Sequence, residues 1–302
     1  MILRALRTAL FQRRRRRLLA QGDGGLLREV ADGLTLPDVR QISADGECGA
    51  YRIFVAVPPS PPPSGGWPVL WLLDGNAWIA GAAEALAMQG RHPETGEIDP
   101  PLIVAIGYPG ADPYDGGRRA YDYLPAHSSG RVAARFMQGA PWFQPGGVEL
   151  FLEFLTGPLR DAIAGRYPVN RRRQTLCGHS FGGLCVLHCL RSRPSAFAAY
   201  AALSPSLWWD EGRGLRDADA LVDTHPAGLS ARLLIAVGGR EMPDRPEISA
   251  RMLTDAAALA DLLRQRGPAG LAVEHRVLAE ENHLSLPMAA FPSVLRFAAP
   301  RG

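Results

Sequence analysis

Short apolar runs alternate with amphipathic stretches along most of this chain. Seven runs bounded by turn residues predict strands, at residues 51–57, 68–73, 102–106, 174–177, 198–203, 233–237 and 271–277. Five stretches with helical spacing predict helices, at residues 77–88, 148–167, 182–190, 248–266 and 286–297. Most of the strand runs are continuously apolar, as strands buried on both faces must be. The alternation of such strands with helices predicts an α/β fold with a mainly parallel sheet and helices on both of its faces.

Two stretches interrupt this pattern. Residues 58–66 (PPSPPPSGG) predict a solvated loop after the first strand. Residues 109–147 show no regular period and are rich in glycine, proline and aromatic residues. They predict an insertion over the top of the sheet that could serve as a lid. The sequence thus predicts an arginine-rich tail at residues 1–27 and one catalytic domain at residues 28–302.

The tail carries an uneven share of the charge. Seven of the 33 basic residues lie in the first 22 positions, so the rest of the chain contains fewer basic than acidic residues, of which there are 30. This distribution predicts no nucleic-acid-binding surface. The arginine block follows the apolar stretch, which is the reverse of the order in a secretory signal. A solvated tail or an extended start, an amphipathic membrane-surface segment and a misassigned export signal remain as interpretations.

The residue composition excludes several mechanisms. The chain contains no lysine, so a Schiff-base lysine, a P-loop lysine and a Ser-Lys dyad are all excluded. Its four cysteines lack metal-site or disulfide-framework spacing, which predicts free thiols and a cytoplasmic protein. A periplasmic location is the alternative if the N-terminus is an export signal. No apolar run is long enough to predict a membrane-spanning helix.

The strongest motif is Gly178-His179-Ser180-Phe181-Gly182-Gly183, which matches G-x-S-x-G between a predicted strand and a predicted helix. In this context the serine is a nucleophile on a sharp strand-to-helix turn, and the helix N-terminus stabilises negative charge on the substrate. Ser180 is therefore the predicted nucleophile. His179 is expected to point away from Ser180.

The remaining triad members should follow the serine in the order acid, then histidine. His283 lies after the last predicted strand and before the last predicted helix, where the general base belongs. Glu241 follows the strand at residues 233–237 and is the predicted acid that orients His283. Asp244, Asp210 and a Ser-His dyad without an acid remain as alternatives.

An oxyanion hole requires two backbone N–H groups. One is predicted at Phe181, the residue after the nucleophile, and the other at Asn76, in the loop after residues 68–73.

Several blocks of the chain resemble a known family, the ferric-siderophore esterases that hydrolyse enterobactin and salmochelin trilactones, within the esterase D-like branch of the α/β-hydrolases. The resemblance extends from about residue 51 to the C-terminus, and its most specific blocks are SPSLWW at residues 204–209 and RAYDYLP at residues 119–125, where leucine stands in place of the usual threonine. Further matching blocks are YPVN at 167–170, GHSFGGL at 178–184, LLDGNAW at 72–78, GRE at 239–241 and NH at 282–283.

The resemblance implies an α/β-hydrolase fold and a serine esterase that acts on catecholate siderophore esters. It implies that Arg119 binds the anionic substrate, with a structural ion pair to Asp122 as the alternative, and that Trp78 lines an aromatic pocket. The reaction would need no metal or cofactor, because any iron arrives with the substrate. Rival interpretations are a carboxylesterase, a feruloyl esterase, an S-formylglutathione hydrolase or an acyltransferase of the same fold, and a non-catalytic siderophore-binding protein.

Overall fold

The computed structural model describes residues 39–91, 98–126, 143–209, 212, 215–216 and 229–301. All of them belong to one compact unit that spans Pro37–Gly302. The strands in this part of the chain are β1 Val39–Gly46, β2 Gly49–Ala56, β3 Trp67–Leu73, β4 Leu102–Gly107, β5 Val169–His179, β6 Ala199–Leu203, β7 Ala231–Gly238 and β8 Leu271–Leu278. The helices described with them are α1 Gly75–Gly90, α2 Gly116–Tyr123, α3 Val148–Phe154, α4 Arg160–Arg166, α5 Phe181–Ser192, α6 Pro246–Arg266 and α7 Leu286–Ala298.

The eight strands form one sheet in the order β1-β2-β4-β3-β5-β6-β7-β8. The strands from β4 to β8 in this order pair in parallel, and β1 and β2 add an antiparallel edge. The carboxyl ends of the parallel strands therefore meet at one edge of the sheet, where α/β enzymes place their sites.

The core lies in two layers, one on each face of the sheet. Every residue of β3 and of β4 is buried, which explains why these strands are apolar without alternation. On one face α1 and α7 pack on the sheet, and on the other face α3, α4, α5 and α6 do so. The predicted fold class is confirmed.

Two elements differ from the prediction. β1 was not predicted, because it is a half-exposed edge strand that carries few apolar residues. Residues 109–147 were expected to lack regular structure, and this was wrong for α2. That helix is polar and only eight residues long, which is too short for a helical period to stand out in the sequence. Residues 127–142 of this segment lie outside the described residues, so the lid stays a prediction, as does the tail at 1–27.

The helix predicted at residues 148–167 is present but interrupted. A π-helical turn, Leu155–Leu159, separates α3 from α4 and contains Pro158. Proline has no N–H to donate within a helix, which accounts for the local change of helical pattern. No helix in the described ranges is both long and apolar enough to cross a membrane.

Candidate active site

Ser180 lies at the sharp turn between β5 and α5. Its backbone has φ 60° and ψ −115°, a conformation that a non-glycine residue rarely adopts. The turn is held from both sides, because the Ser180 N–H donates to the Leu203 carbonyl at 3.0 Å and the Ser180 carbonyl accepts from the Leu184 N–H at 3.1 Å. Such local strain is characteristic of functional sites, where the surrounding structure maintains it.

Two glycines allow the elbow to form. A Cβ atom on Gly178 would collide with the Gly182 carbonyl oxygen, so strand and helix approach too closely there for any side chain. A Cβ atom on Gly183 would lie 2.9 Å from Cα of Pro205. The motif therefore has steric reasons for its glycines, and Gly183 admits the segment that follows β6.

Glu241 is the acid that the structure places against His283. The His283 Nδ1 and Glu241 Oε2 atoms are 2.6 Å apart. The backbone N–H of His283 also donates to the backbone carbonyl of Glu241, at 2.8 Å. Asp244, the alternative acid, is 81% exposed at its side chain and lies near Arg245. Asp210, the other alternative, lies outside the described residues. With Nδ1 bound to the carboxylate, Nε2 is the nitrogen of His283 left for a reacting proton.

The second oxygen of Glu241 is also engaged. Its Oε1 accepts from the Ser204 hydroxyl at 2.5 Å and from the Gly238 N–H at 2.6 Å. Glu241 is only 1% exposed. Three hydrogen bonds around its two oxygens compensate the loss of solvation that a buried carboxylate suffers.

A second hydroxyl lies beside the nucleophile. The Oγ atoms of Ser180 and Ser206 are 3.2 Å apart, and Ser206 is 2% exposed. Sequence reasoning assigned no role to Ser204 or Ser206, although both follow a predicted strand next to the one that leads to Ser180. Their position directly after an adjacent strand was a signal that could have identified them.

Arg119 forms a two-pronged ion pair with Asp74, the residue after β3. Its Nε and Nη2 atoms donate to the two carboxylate oxygens at 3.0 and 2.9 Å. The alternative partner predicted for Arg119 was Asp122, and that was wrong: Asp122 instead faces Arg118 at 3.7 Å. Both arginines lie within one helical turn of Asp122 on α2, and only the folded structure shows that the Arg119 guanidinium is taken by Asp74, which is distant in the chain.

The Arg119 guanidinium flanks the elbow. Its Nη2 lies 3.5 Å from the His179 carbonyl, and its Cζ lies 5.4 Å from the centre of the Phe181 ring. Burial lowers the pKa of Arg119, and Asp74 more than offsets this, so the net shift is upward. A permanent positive charge therefore lies close to Ser180. Substrate binding by Arg119 stays a prediction.

Asn76 lies in the first turn of α1, where backbone N–H groups lack partners within the helix. Its side-chain Nδ2 donates to the Tyr108 carbonyl at 3.1 Å, and its Oδ1 accepts from the Tyr108 backbone N–H at 2.9 Å. Its backbone nitrogen would lie 3.0 Å from a Cβ atom on Gly107, at the end of β4. These contacts are on the β4 side of β3, whereas the elbow follows β5 on the other side. The oxyanion roles of Asn76 and Phe181 stay predictions.

His179 is buried between the site and α1. Its ring centre is 4.4 Å from that of His283 and 5.6 Å from that of Trp78. Burial, and after it the nearby His283 and Arg119, hold the pKa of His179 well below its ordinary value, so this ring is neutral. Trp78 is itself buried and also contacts Tyr114. It is thus close to the site, and its role as a pocket wall stays a prediction.

The part of the chain that the structure describes contains no group of three or more His, Cys, Asp or Glu side chains that could hold a metal ion.

Comparisons with known proteins agree with this arrangement. The model of the Esterase family, described as "Putative esterase", matches residues 49–272. Over 272 residues the chain is 34% identical to ferri-bacillibactin esterase BesA of Bacillus subtilis (strain 168), which covers 89% of this chain and 92% of that protein. This chain belongs to the esterase family.

A second related protein and a solved structure agree with this assignment. The chain is 37% identical over 167 residues to the apo-salmochelin esterase of Escherichia coli O6:H1, across 54% of this chain and 48% of that protein. The crystal structure of the BES protein from Bacillus cereus has a TM-score of 0.78 and 29% identity, and it covers 91% of this chain and 100% of that one. The esterase is therefore a carboxylic ester hydrolase with an α/β-hydrolase fold, and the family resemblance seen in the sequence is confirmed.

Proposed function

We propose that this esterase hydrolyses the ester bonds of a siderophore, with Ser180 as nucleophile, His283 as general base and Glu241 as the acid that orients His283. The observation that carries the proposal is the hydrogen bond between Glu241 and His283 at the sheet edge that also bears Ser180. It occurs in a chain that shares 34% identity over nearly its whole length with a ferri-bacillibactin esterase.

In the first half-reaction the Ser180 hydroxyl attacks the ester carbonyl carbon. The Oγ–H bond breaks, its proton moves to His283 Nε2, and Oγ bonds to carbon. Glu241 then faces an imidazolium and stabilises it through Nδ1. Collapse of the tetrahedral intermediate expels the alcohol, which takes the proton from His283.

Negative charge develops on the carbonyl oxygen during this step. The N–H groups of Phe181 and Asn76 and the N-terminus of α5 are the proposed donors and dipole. The Arg119–Asp74 ion pair lies beside the elbow, with the guanidinium 3.5 Å from the His179 carbonyl. It braces the turn that carries these donors before substrate arrives, so little reorganisation is needed in the transition state.

In the second half-reaction a water molecule attacks the acyl-enzyme. His283 removes a proton from that water and returns one to Ser180 Oγ as the acid product leaves. The cycle restores the free serine.

The substrate class rests on the relatives and on the resemblance of the SPSLWW and RAYDYLP blocks. One relative is named for an iron-loaded siderophore and another for an iron-free one. The substrate proposed here is a catecholate trilactone or its linear fragments, and iron enters only as part of that substrate.

The test is product analysis by chromatography. Wild type, Ser180→Ala and the control Ser192→Ala are incubated with a catecholate trilactone, with and without Fe(III), and separately with a short-chain aryl ester. Ser192 lies at the far end of the helix that follows Ser180, where its hydroxyl bonds to the His188 carbonyl and to Arg193. Wild type and the control are expected to cleave the trilactone, and Ser180→Ala is expected to leave it intact.

Cleavage of the aryl ester with the trilactone untouched would preserve the serine mechanism and overturn the siderophore assignment. Trilactone binding without turnover by the wild type would contradict the enzymatic proposal itself. The ratio of rates with and without iron then distinguishes an iron-loaded from an iron-free substrate.

A further inference from the structure

The segment that follows β6 lies between the nucleophile and the acid of the proposed triad. In the sheet, β6 lies between β5, which leads to Ser180, and β7, which leads to Glu241. Residues 204–206, Ser-Pro-Ser, therefore emerge at the carboxyl edge with the nucleophile on one side and the acid on the other. We refer to these three residues as the Ser-Pro-Ser segment.

The first serine of this segment contacts the acid. Ser204 is fully buried, has φ 40°, and donates its hydroxyl to Glu241 Oε1. Its N–H donates to the Ala236 carbonyl in β7 at 2.7 Å. The unfavourable backbone conformation is thus held by the neighbouring strand, and it directs the hydroxyl at the carboxylate.

The second serine contacts the nucleophile. Ser206 Oγ is 3.2 Å from Ser180 Oγ, and the Ser206 N–H lies 3.4 Å from the Ser180 carbonyl. Pro205 between the two serines packs on Gly183, where a side chain would collide with it. The extra glycine of the elbow motif is therefore the reason that this segment can approach the nucleophile.

We propose that the Ser-Pro-Ser segment belongs to the catalytic machinery, with Ser206 as a catalytic residue that donates to Ser180 Oγ and Ser204 as a positioning residue for Glu241. This inference rests on the proposed function of Ser180, His283 and Glu241.

The direction of the Ser206 hydrogen bond follows from the chemistry. The proton of Ser180 must go to His283 Nε2, so Ser180 Oγ can only accept from Ser206. As that proton leaves, negative charge grows on Oγ, and a hydrogen bond to an ionising oxygen becomes stronger. Ser206 retains its own proton throughout, and no bond to it forms or breaks. Its donation therefore stabilises the transition state of attack more than the resting enzyme.

The role of Ser204 is exerted through Glu241. With Ser204 and Gly238 on Oε1, the carboxylate presents Oε2 to His283 in one orientation. Loss of the Ser204 hydroxyl would leave Gly238 as the remaining Oε1 donor and would loosen that orientation.

The experiment on Ser206 measures the rate at which a fluorophosphonate probe modifies Ser180, together with kcat and KM for an aryl ester. Ser206→Ala is expected to slow modification and to lower kcat by about tenfold or more, short of the roughly hundredfold loss typical of an oxyanion-hole donor. KM and the thermal unfolding midpoint should stay near their wild-type values. Ser293→Ala, which removes a hydroxyl that bonds within α7, is the matched control and should behave as wild type.

A Ser206→Ala enzyme that is modified within twofold of the wild-type rate would overturn the role of Ser206. If Ser206→Ala does not fold, Ser206→Cys fills the site with a weaker donor and should show the same slowing in a folded protein. A wild type that neither reacts with the probe nor cleaves the ester would instead overturn the proposed function, so the two failures are distinguishable.

The experiment on Ser204 is a double-mutant cycle with Glu241. Ser204→Gly removes the hydroxyl and tolerates the positive φ better than alanine would. It is expected to lower kcat in the wild-type background and to have no further effect in Glu241→Gln, because it acts through the carboxylate. Equal losses in both backgrounds would show a merely structural role and overturn the assignment.

Discussion

Two buried carboxyl groups in this protein have opposite surroundings. Glu241 receives three hydrogen bonds on its two oxygens. Asp122 receives no hydrogen bond of good geometry from the described residues, although the Tyr51 and Tyr108 hydroxyls lie near it, and its ion-pair partner Arg118 lies 3.7 Å away. Burial raises the pKa of Asp122 to about 6, against the opposing effects of Arg118 and of these two hydroxyls. The Glu241 carboxylate is thus surrounded by donors at the site, whereas the Asp122 carboxyl on α2 is buried where ionisation is costly.

This difference predicts a pH dependence of stability. The folded protein binds the Asp122 proton more tightly than the unfolded chain, whose carboxyl has a pKa near 3.8. The resulting contribution is fully present below about pH 4 and is lost as the pH rises towards 6, to a total of about 3 kcal/mol.

Urea unfolding between pH 4 and 7 measures this effect in wild type and Asp122→Asn. The wild type should lose free energy of unfolding relative to the variant as the pH rises through this window. If the free energy of unfolding changed with pH in the same way in both proteins, the raised pKa of Asp122 would be contradicted.

At the scale of elements, the junctions between strands and helices carry the chemistry. Most strands and most helices of the described fold follow from apolar runs and helical periodicity, because each such pattern indicates burial of its own segment. β1 and α2 were not predicted, because both are short and polar on their exposed sides. The elbow was predictable because Gly178, Ser180 and Gly182 are neighbours along the chain, and Gly178 must lack a side chain where it meets Gly182.

Gly178→Ala tests the steric account of the elbow. Its Cβ would collide with the Gly182 carbonyl, so the strand-to-helix turn must open. We expect a loss of ester hydrolysis and a destabilisation of about 1–3 kcal/mol, as for overpacking elsewhere.

The control is Gly165→Ala in α4, where a Cβ would meet nothing within 4 Å. It should leave activity unchanged and stability equal or higher by up to about 1 kcal/mol. Both variants are compared by thermal unfolding and by aryl-ester hydrolysis. Equal stability and activity of the two would refute the steric role of Gly178.

At the scale of the whole molecule, one sheet edge gathers groups that are distant in the chain. Parallel pairing places the ends of β5, β6, β7 and β8 side by side, which brings Ser180, the Ser-Pro-Ser segment, Glu241 and His283 together. The same packing encloses three of the four cysteines, Cys177, Cys185 and Cys189, and all four are free thiols as predicted.

Enclosure of these thiols predicts low reactivity. Burial raises the pKa of Cys177, and burial is also the main cause of the raised pKa of Cys189, in each case to about 12. With Ellman's reagent near pH 8 the native protein should react at no more than one thiol, the half-buried Cys48, and the denatured protein at all four. Rapid reaction of two or more thiols in the native protein would contradict the packing.

The sequence by itself determined the α/β class, most element positions, the nucleophile elbow, the position of His283 and the family resemblance. Each of these depends on neighbours along the chain: periodicity, glycine at a tight turn, or a contiguous block. Only the tertiary structure decided that Glu241 rather than Asp244 faces His283, that Arg119 pairs with Asp74 rather than Asp122, and that Ser206 lies beside Ser180. Those pairings join residues from different strands and loops, and strand order and side-chain packing, which no local pattern encodes, determine which of them meet.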